Sequence, residues 1–192
     1  MQNTILLHTC CAPCSAPIVE WLLANDIHPT LFYHNPNIYP LEEYDIRKKE
    51  CTHYAQSLGL KIVDADYDHT YWLKSIEGLE SEPEQGARCL QCFKIRMHAT
   101  AQYAHNNGFD RFATTLASSR WKNLTQIAEA GYEAASKFSN VSFWEKNWRK
   151  DGLNERRRIL LAENNFYNQQ YCGCEFSMQK LKVSDNKIEP QN

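Results

Sequence analysis

Five short apolar runs recur along the chain, and segments with helical spacing separate them. Ile5 to Thr9 ends abruptly at Cys10-Cys11-Ala12-Pro13-Cys14-Ser15, which predicts a buried strand feeding a loop. Pro17 suits a first helical turn, and Ile18, Trp21 and Leu22 continue with helical spacing. His28-Pro29 reads as a break before a second strand, Thr30 to Tyr33. Leu41, Tyr44, Cys51, Tyr54, Ala55 and Leu58 fall on one stripe, so residues 41–58 form a helix that Gly59 stops. Lys61 to Ala65 is a third strand, Tyr71 to Leu79 a weak helix and Ser81 to Arg88 a polar loop. A helix over Phe93 to Ala104 leads to a fourth strand, Arg111 to Leu116, and to a loop at Ser118-Ser119. Helices over Ile127 to Phe138 and Leu153 to Glu163 flank a fifth strand at Val141 to Trp144.

Strands alternating with helices predict an α/β domain: a parallel sheet with flanking helices and a C-terminal helical extension. One catalytic domain over 1–180 and a polar tail over 181–192 follow. Ligands in such sheets bind beyond the carboxyl ends of the strands. Cys10 and Cys11 follow the first strand and Thr115 to Ser119 end the fourth, so two candidate segments share one rim.

A chain of 192 residues suits one domain. With 43% hydrophobic and 23% charged residues it is not a disordered or low-complexity sequence. Its apolar runs fall far short of the roughly 20 residues of a spanning helix, so no membrane partner is expected. Lys plus Arg is 21, Asp plus Glu is 23, and the net charge of −2 exerts no global pull on nucleic acid. Any such binding needs a local patch. The segment Trp144, Trp148, Arg149, Lys150 and Arg156-Arg157-Arg158 is the best candidate for phosphate contact, against the plainer reading of a solvated helix face. Tyr167 and Tyr171 suit base stacking and core packing equally.

Eight cysteines stand at 10, 11, 14, 51, 89, 92, 172 and 174. Only Ile5-Leu6-Leu7 precede the polar His8, which is no signal-peptide pattern, so a reducing cytoplasmic setting is expected. Clustered cysteines there bind metal or do redox work more often than they staple a fold. Cys89-Leu90-Gln91-Cys92 at the mouth of a helix suits a metal centre, with a dithiol couple as the alternative. The adjacent Cys10 and Cys11 at a strand end bring the set to four thiolates, which fits zinc or an iron–sulfur cluster. Cys14 stands open between a ligand for a second metal and a packed thiol. Cys172-Gly173-Cys174 closes a very small ring if oxidised, and such a strained disulfide is readily reduced. Cys51 lies on its helix's apolar stripe and reads as core.

The motifs Leu7-His8-Thr9-Cys10-Cys11-Ala12-Pro13-Cys14, Gly86-Ala87-Arg88-Cys89-Leu90-Gln91-Cys92-Phe93, Thr114-Thr115-Leu116 and Asn168-Gln169-Gln170-Tyr171-Cys172-Gly173-Cys174-Glu175-Phe176-Ser177 stand in this order. Together they resemble the cobalamin-independent QueH family of epoxyqueuosine reductases over about residues 4–178. The resemblance implies the nucleotide alpha-hydrolase-like (HUP) fold and an oxidoreductase. It implies reduction of epoxyqueuosine at the wobble position of tRNA to queuosine, the last step of queuosine biosynthesis. It implies a [4Fe–4S] cluster on Cys10, Cys11, Cys89 and Cys92 and a redox-active pair, Cys172 and Cys174; a second iron near Cys14 rests on the residues alone, since some relatives carry a carboxylate at that position. The implied partners are tRNA carrying epoxyqueuosine and an electron donor. Two other classes compete on the residues alone: a zinc-bound RNA-binding module and a thiol–disulfide oxidoreductase.

Overall fold

Ile5, Leu6 and Leu7 are fully buried and alternate between two cores, so the first strand has helices on both faces. The computed structural model describes residues 3–179. Its elements are β1 (Thr4–Thr9), α1 (Ala12–Ala24), β2 (His28–Tyr33), α2 (Leu41–Ser57), β3 (Ile62–Asp64), α3 (His69–Ser75), α4 (Ala87–Asn106), β4 (Arg111–Thr114), α5 (Leu124–Ser136), β5 (Ser142–Phe143) and α6 (Leu153–Glu163). A 3-10 turn over Thr115–Ser118 follows β4, and residues 175–179 form a last helical turn. The expected tail over 181–192 lies outside the described residues.

The sheet runs β3-β2-β1-β4-β5, and every pairing is parallel. Leu6, Phe32 and Phe112 face α4 and α5, where Met97, Ala101, Ile127 and Ala130 pack against them. Ile5, Leu7, Leu31 and Ala113 face α1, α2 and α6, where Val19, Leu22, Tyr54 and Leu160 close the second core. The chain leaves β1 in one direction through β2 and β3, and in the other through β4 and β5. The strand order therefore reverses between β1 and β4, and a crevice opens beyond their carboxyl ends. No helix among the described residues is long and apolar enough to cross a membrane.

The alternation expected from the sequence is correct; several boundaries differ. α1 begins at Ala12, so Pro13 takes the early helical position and Pro17 lies in the interior. The amide that Pro17 lacks would have bonded only Pro13, one turn back. β2 includes His28 and Pro29. Pro29 is tolerated because β3 joins β2 only from Leu31 onward, where the Leu31 amide bonds the Lys61 carbonyl, so no ladder bond is lost. α4 starts six residues before the expected Phe93, which puts both cysteines of the CxxC inside the helix rather than ahead of it. β4 stops at Thr114 because the Thr114 hydroxyl accepts from the Leu116 amide and turns the chain into the 3-10 turn.

Candidate active site

The Cys10-Cys11 corner joins β1 to α1. Cys11 is the N-cap residue of α1, and Cys14 lies in its first turn. The Ser15 hydroxyl donates back to the Cys11 carbonyl at 2.9 Å and fixes the turn. The Sγ atoms of Cys10, Cys11 and Cys14 all lie within 4.8 Å of one another, and all three residues are buried. Among the described residues this is the one group of three or more potential ligands drawn so close. Donation from Cys11 and then from Cys14 holds the Cys10 thiol well below the ordinary thiol range, with help from Lys122 and Arg96. Burial pushes Cys11 well up, and Cys14 is raised by its bond with Cys10. The Gln169 amide covers the triad, donating to Cys11 Sγ at 2.7 Å, and its own buried Oε1 has no partner.

Cys89 and Cys92 occupy successive turns at the start of α4 and share one helix face. Glu82 accepts from the Ala87 amide at 2.9 Å and caps this end, and the Gln85 amide donates to Cys89 Sγ at 3.3 Å. Cys92 is packed with Cys174, Trp72 and Ile76, and burial pushes its thiol up to about 12. Both thiol groups therefore sit at the positive end of a helix.

The segment holding Cys172 and Cys174 returns to the same rim. The Gly173 carbonyl accepts from the Tyr39 amide at 2.8 Å. The buried Arg47 guanidinium donates to the carbonyls of Tyr171 and Cys172 at 3.2 and 3.4 Å, and to Glu43 at 2.6 Å. His69 Nε2 meets Glu175 at 2.8 Å and pins the turn that follows. Gly173 has φ +127°, a conformation only glycine adopts readily. A cavity of about 510 Å³ opens beside it, and Cys10, Cys14 and Cys172 line its wall. Its other lining groups include Arg47, Arg120, Lys122, Arg149, Arg157 and Arg158, with no carboxylate among them. A smaller cleft of about 20 Å³ behind it is lined by Cys89, Cys172, Cys174 and Lys122. Cys172 and Lys122 thus border both spaces. The cysteines expected to form one four-thiol set are divided between the triad and the CxxC, and Cys172 faces both neighbourhoods.

A polar network underlies the triad. His8 Nδ1 lies 2.8 Å from Thr114 Oγ1, and Arg96 Nε donates to His8 Nε2 at 3.3 Å. Burial and then the Arg96 charge hold His8 well below its usual range, so the ring is neutral, as its reading as a structural histidine requires. Arg96 is buried with no carboxylate partner among the described residues, and its charge favours anionic Cys10 and Cys92. Cys51 is core: it is fully buried beside Tyr33 and Tyr44. Tyr167 bonds Glu43, and Tyr171 bonds the Tyr39 carbonyl.

The basic segment divides. Arg149, Arg157 and Arg158 line the cavity, whereas Arg156 turns away to pair with Glu20 at 2.7 Å. Sequence patterning missed Arg47, Arg96, Lys122 and Gln169. The available signals were the polar Ser118-Ser119-Arg120-Trp121-Lys122-Asn123 run after the fourth strand, which holds Lys122, and the Asn168-Gln169-Gln170 stretch ahead of the CxC, which holds Gln169.

A doubly wound parallel sheet whose strand reversal gathers thiols and cations defines an α/β protein of the nucleotide alpha-hydrolase-like type with a redox-capable site. A solved structure of a predicted subunit of a tRNA methyltransferase from Methanocaldococcus jannaschii shares this fold, with a TM-score of 0.55 at 15% identity over 98% of this chain and 93% of that one. The family described as epoxyqueuosine reductase QueH matches residues 5–180. Epoxyqueuosine reductase QueH of Haemophilus influenzae is 45% identical over 92% of this chain and 72% of its own length. The Acinetobacter baylyi protein of that name is 43% identical over 92% and 81%, and the Thermotoga maritima one 34% identical over 97% and 96%. The chain belongs to the QueH family of epoxyqueuosine reductases, and it is an oxidoreductase.

Proposed function

We propose that this protein reduces epoxyqueuosine at the wobble position of tRNA to queuosine, using a [4Fe–4S] cluster on Cys10, Cys11, Cys89 and Cys92 and the dithiol Cys172/Cys174. The observation that carries this reading is that Cys172 lines one cavity with Cys10 and Cys14 and a second with Cys89 and Cys174. The donor chemistry fits the cluster: thiols only, at two helix starts, with the buried cations Arg96 and Lys122 to balance negative charge. In this reading Cys14, whose Sγ lies within 4.8 Å of those of Cys10 and Cys11, is the donor for a second iron. In this reading residues 1–180 act as one catalytic unit in the cytoplasm.

When bound, such a cluster supplies single electrons and a Lewis-acidic iron. The protein's own part is binding, positioning and proton handling. The cavity has the size of a typical ligand site and admits one splayed nucleotide. Arg157 and Arg158 at its rim hold flanking phosphates. Two thiols passing to a disulfide release two electrons and two protons. The epoxide takes up both pairs and leaves an alkene and one water, so the exchange balances. A separate reductant then restores the dithiol.

The test is anaerobic purification followed by assay on tRNA that carries epoxyqueuosine. Brown protein with broad visible absorption and queuosine product is expected. Cys89→Ala loses iron and absorption together. A colourless protein that retains zinc, or a Cys89→Ala variant with full iron content, overturns the cluster assignment.

A further inference from the structure

We propose that Lys122 is the catalytic acid of this reaction, the residue that hydrogen-bonds the epoxide oxygen and protonates it as the carbon–oxygen bonds break. The proposal rests on the reading above and names a proton source which that reading leaves open.

Lys122 lies just beyond the carboxyl end of β4, where the strand order reverses. Its backbone is held at both groups. The Lys122 amide bonds the Ser119 carbonyl at 3.3 Å, and the Lys122 carbonyl accepts from Arg149 Nη2 at 2.6 Å. The same guanidinium also bonds the Ser119 carbonyl. The residue is 7% exposed, yet its ammonium group makes no hydrogen bond and no ion pair among the described residues. Its ammonium group instead opens on the cavity wall, beside the thiols of Cys10, Cys14 and Cys172. Its donors are therefore free for a ligand atom bound there.

Chemistry selects Lys122 from its neighbours. The other cations around the cavity are arginines, which do not release a proton in proteins. Arg47 and Arg149 are also committed to backbone carbonyls. No Asp, Glu or His lines the larger cavity, and Glu84 reaches only the smaller cleft. Lys122 borders both spaces that Cys172 borders, so the ammonium group and the reducing thiol open on the same two spaces. The balance closes without another reagent. Lys122 gives one proton to the oxygen and recovers it from the Cys172/Cys174 pair as that pair becomes a disulfide. The second thiol proton completes the water.

The experiment compares Lys122→Ala and Lys122→Arg with wild type, all anaerobic and iron-loaded, in single turnover on epoxyqueuosine tRNA. Both variants are expected to keep iron content, visible absorption and tRNA affinity. Both lose about 10²–10⁴-fold in rate, the usual worth of a positioned acid. Added methylammonium or ethylammonium restores Lys122→Ala in proportion to its concentration and does nothing for Lys122→Arg. A Lys122→Arg rate within threefold of wild type overturns the proposal, because charge alone then suffices. So does an alanine variant that retains full rate, one that no amine rescues, or loss of iron from both variants. Failure of the wild-type protein itself removes the underlying reading, and the proposal with it.

Discussion

Gly173→Ala adds one methyl group between the two cysteines of the CxC and touches no thiol. At φ +127° an alanine is strained, by roughly 1–3 kcal/mol. The new Cβ would also stand 3.1 Å from Ile38 Cγ1 and 3.2 Å from Arg47 Nη1, closer than side chains normally approach. Arg47 cannot retreat without releasing Glu43 and the carbonyls of Tyr171 and Cys172. The segment therefore lifts, and the Tyr39 amide loses the Gly173 carbonyl. At one factor of ten per 1.4 kcal/mol, the population with Cys172 and Cys174 seated falls about 5- to 150-fold. The assay is multiple turnover with saturating reductant, alongside iron content and tRNA affinity. Turnover should fall within that range while the other two readouts hold. Gly78→Ala is the control: its φ of +82° carries the same kind of strain, nothing lies within 4 Å of its new Cβ, and turnover per folded molecule should not change. Turnover of Gly173→Ala within twofold of wild type would refute the claim that this glycine seats the dithiol.

Replacing Arg157 and Arg158 by Gln should weaken tRNA binding and flatten its dependence on salt, because each phosphate that goes unneutralised lowers the salt slope by about one. Arg156→Gln should leave that slope unchanged, since Arg156 is engaged by Glu20 and Glu163; a slope that falls equally in both variants refutes the division. Acid should destabilise the fold through His34, whose ring is held down to about 4 by burial and then by Arg96. Above pH 6.5 both folded and unfolded states are neutral at this residue and it contributes nothing. Below 6.5 the unfolded chain takes up the proton first, so stability falls until about pH 4, by at most about 3 kcal/mol. Thermal melts between pH 7 and 4.5 should show this decline, and His34→Gln should flatten it; parallel curves for the two proteins contradict the assignment.

Much of the framework was readable because it rests on local pattern. Ile5-Leu6-Leu7 is apolar without interruption because both faces of β1 are covered, and the stripe over Leu153–Glu163 matches α6 to the residue. Local rules failed where tertiary context set the outcome. Pro29 reads as a break, yet its missing amide falls on the β3 side, where β2 is not yet paired. Arg156-Arg157-Arg158 reads as one patch, but successive helical residues point about 100° apart, so Glu20 takes one arginine and the cavity receives the others. Arg47 and Cys172 are 125 positions apart, and Gln169 and Cys11 are separated by 158. No periodicity reports such pairs. Lys122 was hidden for a different reason: a lysine in a polar loop reads as solvated, and only the folded rim shows it drawn into the wall of the thiol-lined cavity.

The covering of the thiol triad by Gln169 has a consequence for biosynthesis of the protein. At ribosomal speeds of about 5–20 residues per second, the intervening 158 positions take roughly 8–30 s to emerge. Throughout that interval Cys10, Cys11 and Cys14 exist without their cover, open both to incoming iron and to any oxidant. Arrival of the final segment ends the exposure. A nascent chain stalled before Gln169 would therefore be the species most readily loaded with metal and most readily damaged by peroxide.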